Sequence, residues 1–295
     1  MTSRRGDAIS RAVLVTGCSS GIGRTTALRL ARAGWPVYAT ARRPETLRDL
    51  AAAGCRVLAL DVTDERSMQA AVAAVREQAG AVGVLVNNAG YSQSGAVESV
   101  PMELARRQFE TNLFGLLRLT QLVLPGMREQ RWGKVVNLSS MGGRLTFPGG
   151  GLYHASKHAV EALSDALRFE VRGFGVDVVV IEPGLIHTEF GETAAASTGA
   201  DAVQDGDAAY RQFNAAVAAA TRAVYTSRAL APFGGGPERV AAVIERAIGA
   251  RRPRARYPVT PSARLLLALH AALPDRAWDG LLRLQFPSPG ARRRP

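Results

Sequence analysis

Short runs of apolar residues alternate with longer segments of helical periodicity along most of the chain. The apolar runs are continuous rather than alternating, which is typical of strands buried on both faces of a parallel sheet. We predict strands at residues 12–16, 36–40, 56–60, 82–86, 134–138, 176–181 and 257–259. Because strand and helix patterns follow one another, the chain is expected to form right-handed β–α–β units.

The helical segments fall between these strands and continue beyond them. They are predicted at residues 21–33, 64–78, 101–127, 152–174, 207–229, 237–250, 262–273 and 275–284. The pattern loosens in residues 185–232, and we expect this segment to form a substrate loop that closes over a ligand. We therefore divide the chain into a nucleotide-binding catalytic domain at residues 1–260 and an amphipathic helical extension at residues 261–295.

Composition places the chain among ordinary globular proteins, with 295 residues of which 47% are hydrophobic and 21% charged. No apolar run approaches the roughly 20 residues of a membrane span. The N-terminus shows no apolar signal-peptide core, and two cysteines do not make a disulfide framework. We expect a cytoplasmic protein.

The net charge of +12 is concentrated at the end of the chain, where residues 251–295 hold ten arginines and two aspartates. Few aromatic residues accompany these arginines, which disfavours nucleic-acid binding. The extension could instead cover a pocket, pack on a partner subunit or make weak contact with an anionic membrane surface.

Lysine is used at only two positions, Lys134 and Lys157, in a chain with 37 basic residues. Lys157 follows Tyr153 by four positions, so both side chains share one face of the predicted helix. A nearby ammonium favours the phenolate and lowers the pKa of a tyrosine. The pair therefore indicates a tyrosine that donates a proton and a lysine that adjusts its pKa. The same spacing is also common between surface neighbours.

The first predicted strand runs into a loop with the spacing Gly-x-x-x-Gly-x-Gly, at Gly17, Gly21 and Gly23. The helix that follows offers unpaired N–H groups and a positive dipole end to a phosphate. The second strand ends at Arg42 and Arg43, where a carboxylate would favour NAD. Guanidinium suits a 2′-phosphate, so we predict NADP(H) rather than NAD(H), unless the arginines are only a solvated pair.

The order and spacing of these motifs resemble the short-chain dehydrogenase/reductase family in its compact single-domain form. The resemblance covers about residues 12–232 and includes Asp61-Val62, Asn87-Asn88-Ala89-Gly90 and Pro183-Gly184. Residues 40–44 and the basic tail are closest to the hydroxysteroid and retinol dehydrogenase branch. The resemblance implies an α/β fold, a Rossmann-like doubly wound parallel sheet of about seven strands in the order 3-2-1-4-5-6-7, with helices on both faces.

The resemblance also implies the site residues. The catalytic group is Asn112, Ser140, Tyr153 and Lys157. The cofactor-binding group is Gly17, Ser19, Ser20, Gly21, Ile22, Gly23, Arg42, Asp61, Val62, Asn88, Ala89, Gly90, Tyr153, Lys157, Ile186 and Thr188. Many NADP-preferring relatives carry a basic residue at the position of Ser20, so the NADP(H) prediction depends on Arg42, with Arg43 as a second candidate contributor.

The expected function is an NADP(H)-dependent oxidoreductase that interconverts a hydrophobic ketone or aldehyde and its alcohol, with Tyr153 as general acid/base. Pocket walls are expected from Tyr91, Leu145, Phe147 and Phe190. A non-enzymatic NADP(H) sensor on the same fold is the alternative. The four histidines show no zinc spacing, so no metal is predicted. In members of this family, subunits commonly associate through helix–helix contacts, so the resemblance implies a homodimer or homotetramer.

Overall fold

A single parallel sheet forms the centre of the molecule. In this computed structural model, residues 9–197, 209–227 and 231–290 are described. The strands are β1 (Val13–Val15), β2 (Val37–Ala41), β3 (Arg56–Ala59), β4 (Val84–Asn87), β5 (Gly133–Leu138), β6 (Val176–Glu182) and β7 (Arg256–Pro258). Their order across the seven-stranded sheet is β3-β2-β1-β4-β5-β6-β7, and every pairing is parallel. The predicted doubly wound sheet is therefore confirmed.

The helices lie between and beyond the strands. They are α1 (Gly21–Arg32), α2 (Arg48–Ala52), α3 (Glu65–Ala79), α4 (Met102–Phe109), α5 (Gly115–Glu129), α6 (Gly151–Val171), α7 (Glu189–Ala196), α8 (Arg211–Thr226), α9 (Pro237–Gly249), α10 (Pro261–Ala272) and α11 (Asp275–Gln285). Within the predicted substrate loop, residues 198–208 and 228–230 lie outside the described part of the chain, as do residues 291–295 of the extension.

The core divides into two layers because successive strand side chains point to opposite faces of the sheet. Val13 and Val15 of β1 pack on one face with α1 and α9, where Leu30 and Ile244 are fully buried. Leu14 points to the other face, which α3 and α5 cover. Strands buried on both sides explain why the sequence shows continuous apolar runs.

Buried polar side chains tie the carboxyl ends of β4 and β5 to the helices beside them. The Asn87 amide donates to Asn137 Oδ1 at 2.9 Å and to Thr120 Oγ1 of α5 at 3.0 Å. The Asn137 amide donates to Ser164 Oγ of α6 at 2.9 Å. Since buried polar groups are costly when unpaired, this network fixes α6 relative to the sheet.

The long helix predicted at residues 101–127 is confirmed, since the chain is helical from Met102 to Glu129. It contains a π-helical turn, Glu110–Phe114, between α4 and α5. Turns of this kind insert an extra residue and change the direction of the side chains around them. The turn was not predicted, because the apolar periodicity on either side of it still indicates a helix.

Two buried carboxylates face arginines behind the end of β6. Glu182 is fully buried, and neither of its side-chain oxygens has a hydrogen-bond partner among the residues that the structure describes. Arg144 and Arg256 approach it at 3.6 and 3.5 Å, while Arg256 also donates to Glu161 at 2.9 Å. Burial, with the neighbouring Glu161, raises the pKa of Glu182 to about 7, and the two guanidinium groups offset this only in part.

None of the described helices combines the length and the apolar character required to pass through a bilayer.

Replacing Glu182 with glutamine is expected to stabilise the protein more at pH 8.5 than at pH 5. The folded-state pKa of about 7 lies above the ordinary 4.5, so the stability gained from this proton is complete below about pH 4.5 and is lost as the pH rises through 7. The difference between variant and wild type should grow by on the order of 1–3 kcal/mol over this range. Urea unfolding at the two pH values measures it. The exposed Glu129→Gln variant is the control, and an equal response in both variants would contradict the assignment.

Candidate active site

The loop after β1 forms a cradle for a phosphate group. Gly17 adopts a φ of +69°, and a side chain at Gly23 would collide with the Gly17 carbonyl and the Asn88 amide. Helix α1 starts directly after Ser20, whose side chain makes no capping hydrogen bond, and the first turn contains no acidic residue. The helix therefore presents free N–H groups and a positive dipole end, which fit a dinucleotide phosphate.

Asn88 holds this cradle against the end of β4. Its amide nitrogen donates to the backbone oxygens of Thr16 and Gly17 at 2.8 and 3.1 Å. In return, the Thr16 hydroxyl accepts the backbone N–H groups of Asn88 and Ala89, both at 3.0 Å. The phosphate loop and the segment after β4 are thus fixed to each other before any ligand binds.

A large cleft of about 1450 Å³ runs along the carboxyl ends of the strands. Most of the predicted site residues line it: Gly17, Ser19, Ser20, Gly21, Ile22, Arg42, Asp61, Val62, Asn88, Ala89, Gly90, Ser140, Tyr153, Lys157, Ile186 and Thr188. Gly23 and Asn112 lie behind its wall. Gly23 permits the tight closure of the loop, and Asn112 acts on the backbone of a lining segment.

Ser140 links the end of β5 to the Tyr153 phenol. Its hydroxyl oxygen accepts the Gly142 N–H at 3.1 Å, which caps a short turn at Met141–Gly143. A hydrogen bond between Ser140 and Tyr153 favours the phenolate. Besides accepting from Gly142, the Ser140 hydroxyl has one proton to donate, either to the phenol or to a carbonyl oxygen bound in the cleft.

Ser139 precedes Ser140 directly after β5. Its buried hydroxyl has no hydrogen-bond partner among the described residues, whereas the Ser140 hydroxyl caps the turn that follows. Both serines line the cleft, so a second hydroxyl is available to a ligand beside the first.

Lys157 lies one helical turn beyond Tyr153 on α6, with its Nζ atom 5.9 Å from the centre of the phenol ring. Its ammonium group donates to the Leu138 backbone oxygen at 2.7 Å, at the end of β5. Burial lowers the pKa of Lys157 to about 8, although the carboxylate of Glu161 acts in the opposite direction. The two side chains share one face, as the spacing predicted.

The expected lowering of the Tyr153 pKa is not what the protein groups alone produce. Burial is the largest influence and raises the pKa of Tyr153 above its usual range. The Ser140 hydrogen bond lowers it, and the nearby Tyr225 phenol raises it further. The expected lowering depends on Lys157 together with oxidised nicotinamide, so it stays a prediction for the nucleotide-bound protein.

Asn112 lies in the π-helical turn and holds the segment after Gly90. Its side-chain oxygen accepts the Tyr91 N–H at 3.0 Å, and its amide nitrogen donates to the Tyr91 backbone oxygen at 2.9 Å. The amide also donates to Ser156 Oγ of α6 at 3.2 Å. These bonds make Asn112 a positioning residue between the cleft floor and the helix of Tyr153.

Aromatic side chains form the cleft wall around Tyr153. Phe190 of α7 packs on Tyr153 with ring centres 5.6 Å apart, and Tyr91 and Phe147 also line the cleft, as predicted. Leu145 does not. It is almost fully buried in a core cluster with Trp278 of α11, because the turn after Ser140 directs it inward.

His154 and Tyr225 also line the cleft around Tyr153 and were not predicted as wall residues. His154 follows Tyr153, with ring centres 5.6 Å apart, and its Nδ1 atom accepts the Phe147 N–H at 3.3 Å. Burial, with a smaller effect of His158, lowers the pKa of His154 to about 4, so its ring is neutral near pH 7. Tyr225 reaches the cleft from α8, which is remote in sequence and gave no local signal.

The described residues contain no group of three or more His, Cys, Asp or Glu side chains placed to hold a metal ion.

Known proteins share this sequence and architecture. The profile of the short chain dehydrogenase family matches residues 11–198. The uncharacterized oxidoreductase YusZ of Bacillus subtilis (strain 168) is 38% identical over 279 residues, covering 92% of this chain and 96% of YusZ. The NADPH-dependent 3-dehydrocapnine reductase of Ornithobacterium rhinotracheale is 36% identical over 278 residues, covering 91% of this chain and 95% of the reductase. The closed form of a serine dehydrogenase complexed with NADP⁺ superposes with a TM-score of 0.72 at 28% identity, covering 85% and 95%.

The chain therefore belongs to the short-chain dehydrogenase/reductase family. It is an oxidoreductase of that family, with a Rossmann-like sheet and a cleft suited to a nicotinamide dinucleotide.

Replacing Asn112 with alanine is expected to lower the free energy of unfolding by about 2 kcal/mol, because the Tyr91 N–H loses its partner and the Tyr91 C=O keeps only the bond from Gln108. Urea denaturation followed by circular dichroism measures the change. Thr111→Ala is the matched control in the same turn, since its hydroxyl bonds only to the exposed Arg107 backbone oxygen. Equal stability of the two variants would show that Asn112 does not hold the cleft floor.

Proposed function

We propose that the protein is an NADP(H)-dependent oxidoreductase that interconverts a hydrophobic ketone or aldehyde and its alcohol. The observation that carries the proposal is the convergence of the Ser140 hydroxyl, the Tyr153 phenol and the Lys157 ammonium in one cleft beside a phosphate-binding loop. The oxidoreductase relatives support catalysis over the sensor alternative. A sensor also has no need for a buried phenol aligned with a serine hydroxyl.

The residues divide the chemistry between them. When bound, reduced nicotinamide supplies a hydride to the carbonyl carbon. Ser140 holds the carbonyl oxygen by a hydrogen bond, and Tyr153 gives its phenolic proton to that oxygen as negative charge develops there. Lys157 stabilises the phenolate that remains, and it also contacts the ribose in this proposal. The reverse direction starts from the phenolate as base.

The raised pKa of Tyr153 favours the protonated phenol, which is the form required for carbonyl reduction. Alcohol oxidation needs the phenolate, and the positive charge of oxidised nicotinamide would act with Lys157 to lower the pKa. The protonated phenol is therefore the form present near neutral pH before a nucleotide binds.

The preference for NADP(H) rests on Arg42. This residue lines the cleft immediately after β2 and is exposed, so its guanidinium is free to reach a 2′-phosphate. Arg43 is not among the lining residues. The similarity to an NADPH-dependent reductase and to an NADP⁺ complex supports the same preference.

The substrate is proposed to be hydrophobic because its end of the cleft is walled by Phe147, Phe190 and Leu185. We further propose a cytoplasmic homodimer or homotetramer. Exposed aromatic side chains near the expected pairing surfaces, Phe114 at the end of the π-helical turn and Phe169 on α6, support such an assembly.

Replacing Tyr153 with phenylalanine should reduce kcat for ketone reduction by at least about a hundredfold, because the proton donor is lost. NADPH binding, followed by nucleotide fluorescence, should remain within a few-fold of wild type. Tyr257→Phe, which alters a phenol bonded to the Arg254 backbone, is the control. Activity retained in Tyr153→Phe would overturn the catalytic assignment, and wild type without turnover on a panel of ketones and alcohols would overturn the function.

Replacing Arg42 with alanine should raise the KM for NADPH by about 10–100-fold, the loss of a charge-assisted hydrogen bond. The KM for NADH should change little, since that nucleotide has no 2′-phosphate. Arg43→Ala is the neighbouring control and should leave both values near wild type. A wild-type preference for NADH would refute the cofactor assignment.

A further inference from the structure

Helices α10 and α11 each expose an apolar stripe on the side that faces away from the core. The exposed positions repeat with helical spacing, so each set lies along one face. We call them the outer stripe, which comprises Leu265, Ala268 and Leu269 of α10 and Ala277, Leu281 and Leu284 of α11. Leu284 is 85% exposed and Leu265 is 56% exposed.

The inner faces of the same helices already provide their packing. Ala263, Leu267 and Trp278 are buried against Met141 and Leu145, next to the turn that follows Ser140. The outer stripe therefore contributes nothing to this core. A helix that is apolar on two faces requires a second apolar environment, and exposed apolar patches of this kind mark interaction surfaces.

The charges around the outer stripe identify the environment. From residue 261 onward, the sequence contains six arginines and two aspartates. Arg264, Arg276 and Arg283 of these helices form no ion pair with any residue that the structure describes. A second copy of the chain on this face would place like charges together, whereas anionic lipid headgroups complement them.

The outer stripe is continuous with the cleft. Leu265 belongs to the outer stripe and also lines the cleft. Beside it, Leu266 of α10 and Phe286, directly after α11, line the cleft without belonging to the outer stripe. Phe233, which is 43% exposed, lines the cleft as well. These side chains give an apolar ligand a route from the outer stripe into the cleft.

We propose that the outer stripe docks α10 and α11 on the surface of an anionic lipid bilayer, with the cleft mouth against the acyl boundary. The helices lie in the plane of the interface, with their arginines at the headgroups. The docking stands on the stripe and its charges alone. Its consequence for substrate, an amphiphilic long-chain ketone that enters from the bilayer, rests on the proposed function.

The test measures flotation of the full-length protein with two kinds of vesicle. One is pure phosphatidylcholine, and the other contains one part phosphatidylglycerol to two parts phosphatidylcholine. Wild type should float with the anionic vesicles only, and binding should weaken at high salt. Leu281→Asp/Leu284→Asp should reduce the fraction bound by about tenfold or more, because buried apolar surface drives interfacial binding.

The matched control is Ile9→Asp/Phe174→Asp. The side chains of Ile9 and Phe174 are 51% and 42% exposed. They precede β1 and β6, so they lie at the amino ends of the strands, whereas the cleft lies at the carboxyl ends. The control should bind vesicles like wild type. Circular dichroism and reduction of a short, water-soluble ketone verify that both double variants are folded. The stripe variant, Leu281→Asp/Leu284→Asp, should keep this activity because neither substituted residue lines the cleft.

Three results would overturn the docking proposal: no binding of wild type to anionic vesicles, equal binding of wild type and the stripe variant, or conversion of an oligomer to monomer by the stripe substitutions. The last would identify the stripe as an interface between copies. Failure of the proposed function is distinct, since wild type would then bind vesicles and reduce no ketone.

Discussion

The buried ammonium of Lys157 is the constraint around which the site is built. A charge that has left water must find a partner, and the Leu138 backbone oxygen at the end of β5 supplies one at 2.7 Å. This single bond fixes α6 against the strand from which Ser140 extends. Tyr153, one turn away on α6, is thereby brought to Ser140. The relative positions of the three side chains therefore depend on the hydrogen bond that pairs the buried Lys157 ammonium.

Charged side chains behind the site also hold α6 against the sheet. Glu161 stands one turn after Lys157 on α6, and Arg256 of β7 donates to it at 2.9 Å. Arg256 also approaches the buried Glu182 at the end of β6. The helix that carries the phenol is therefore joined through charged groups to the last two strands of the sheet, and a change in protonation there acts on the support of the site.

The sequence revealed the parts of this molecule that depend on short-range spacing. Continuous apolar runs identified strands buried on both faces, and the four-residue interval placed Tyr153 and Lys157 on one face. The glycine interval of the phosphate loop is equally local. Each of these features follows from backbone geometry over a few residues, with the family resemblance supplying the strand order.

The remainder depends on the three-dimensional fold. The turn after Ser140 buries Leu145 in the core, although its sequence neighbours line the cleft. Tyr225 meets Tyr153 only because α8 folds back over the cleft. The raised pKa of Tyr153 reflects the depth of burial, which no spacing encodes. The π-helical turn at Asn112 requires one extra residue in a helix whose apolar pattern is otherwise regular.

The two lysines of the chain share an unusual fate. Lys134 is 3% exposed and donates to the Ala250 backbone oxygen at 2.6 Å, just as Lys157 is 5% exposed and bonded to Leu138. The outer surface consequently offers no lysine amine to acetyltransferases. Lys157 can be reached only through the cleft, so covalent labelling of Lys134 would report that the chain has opened.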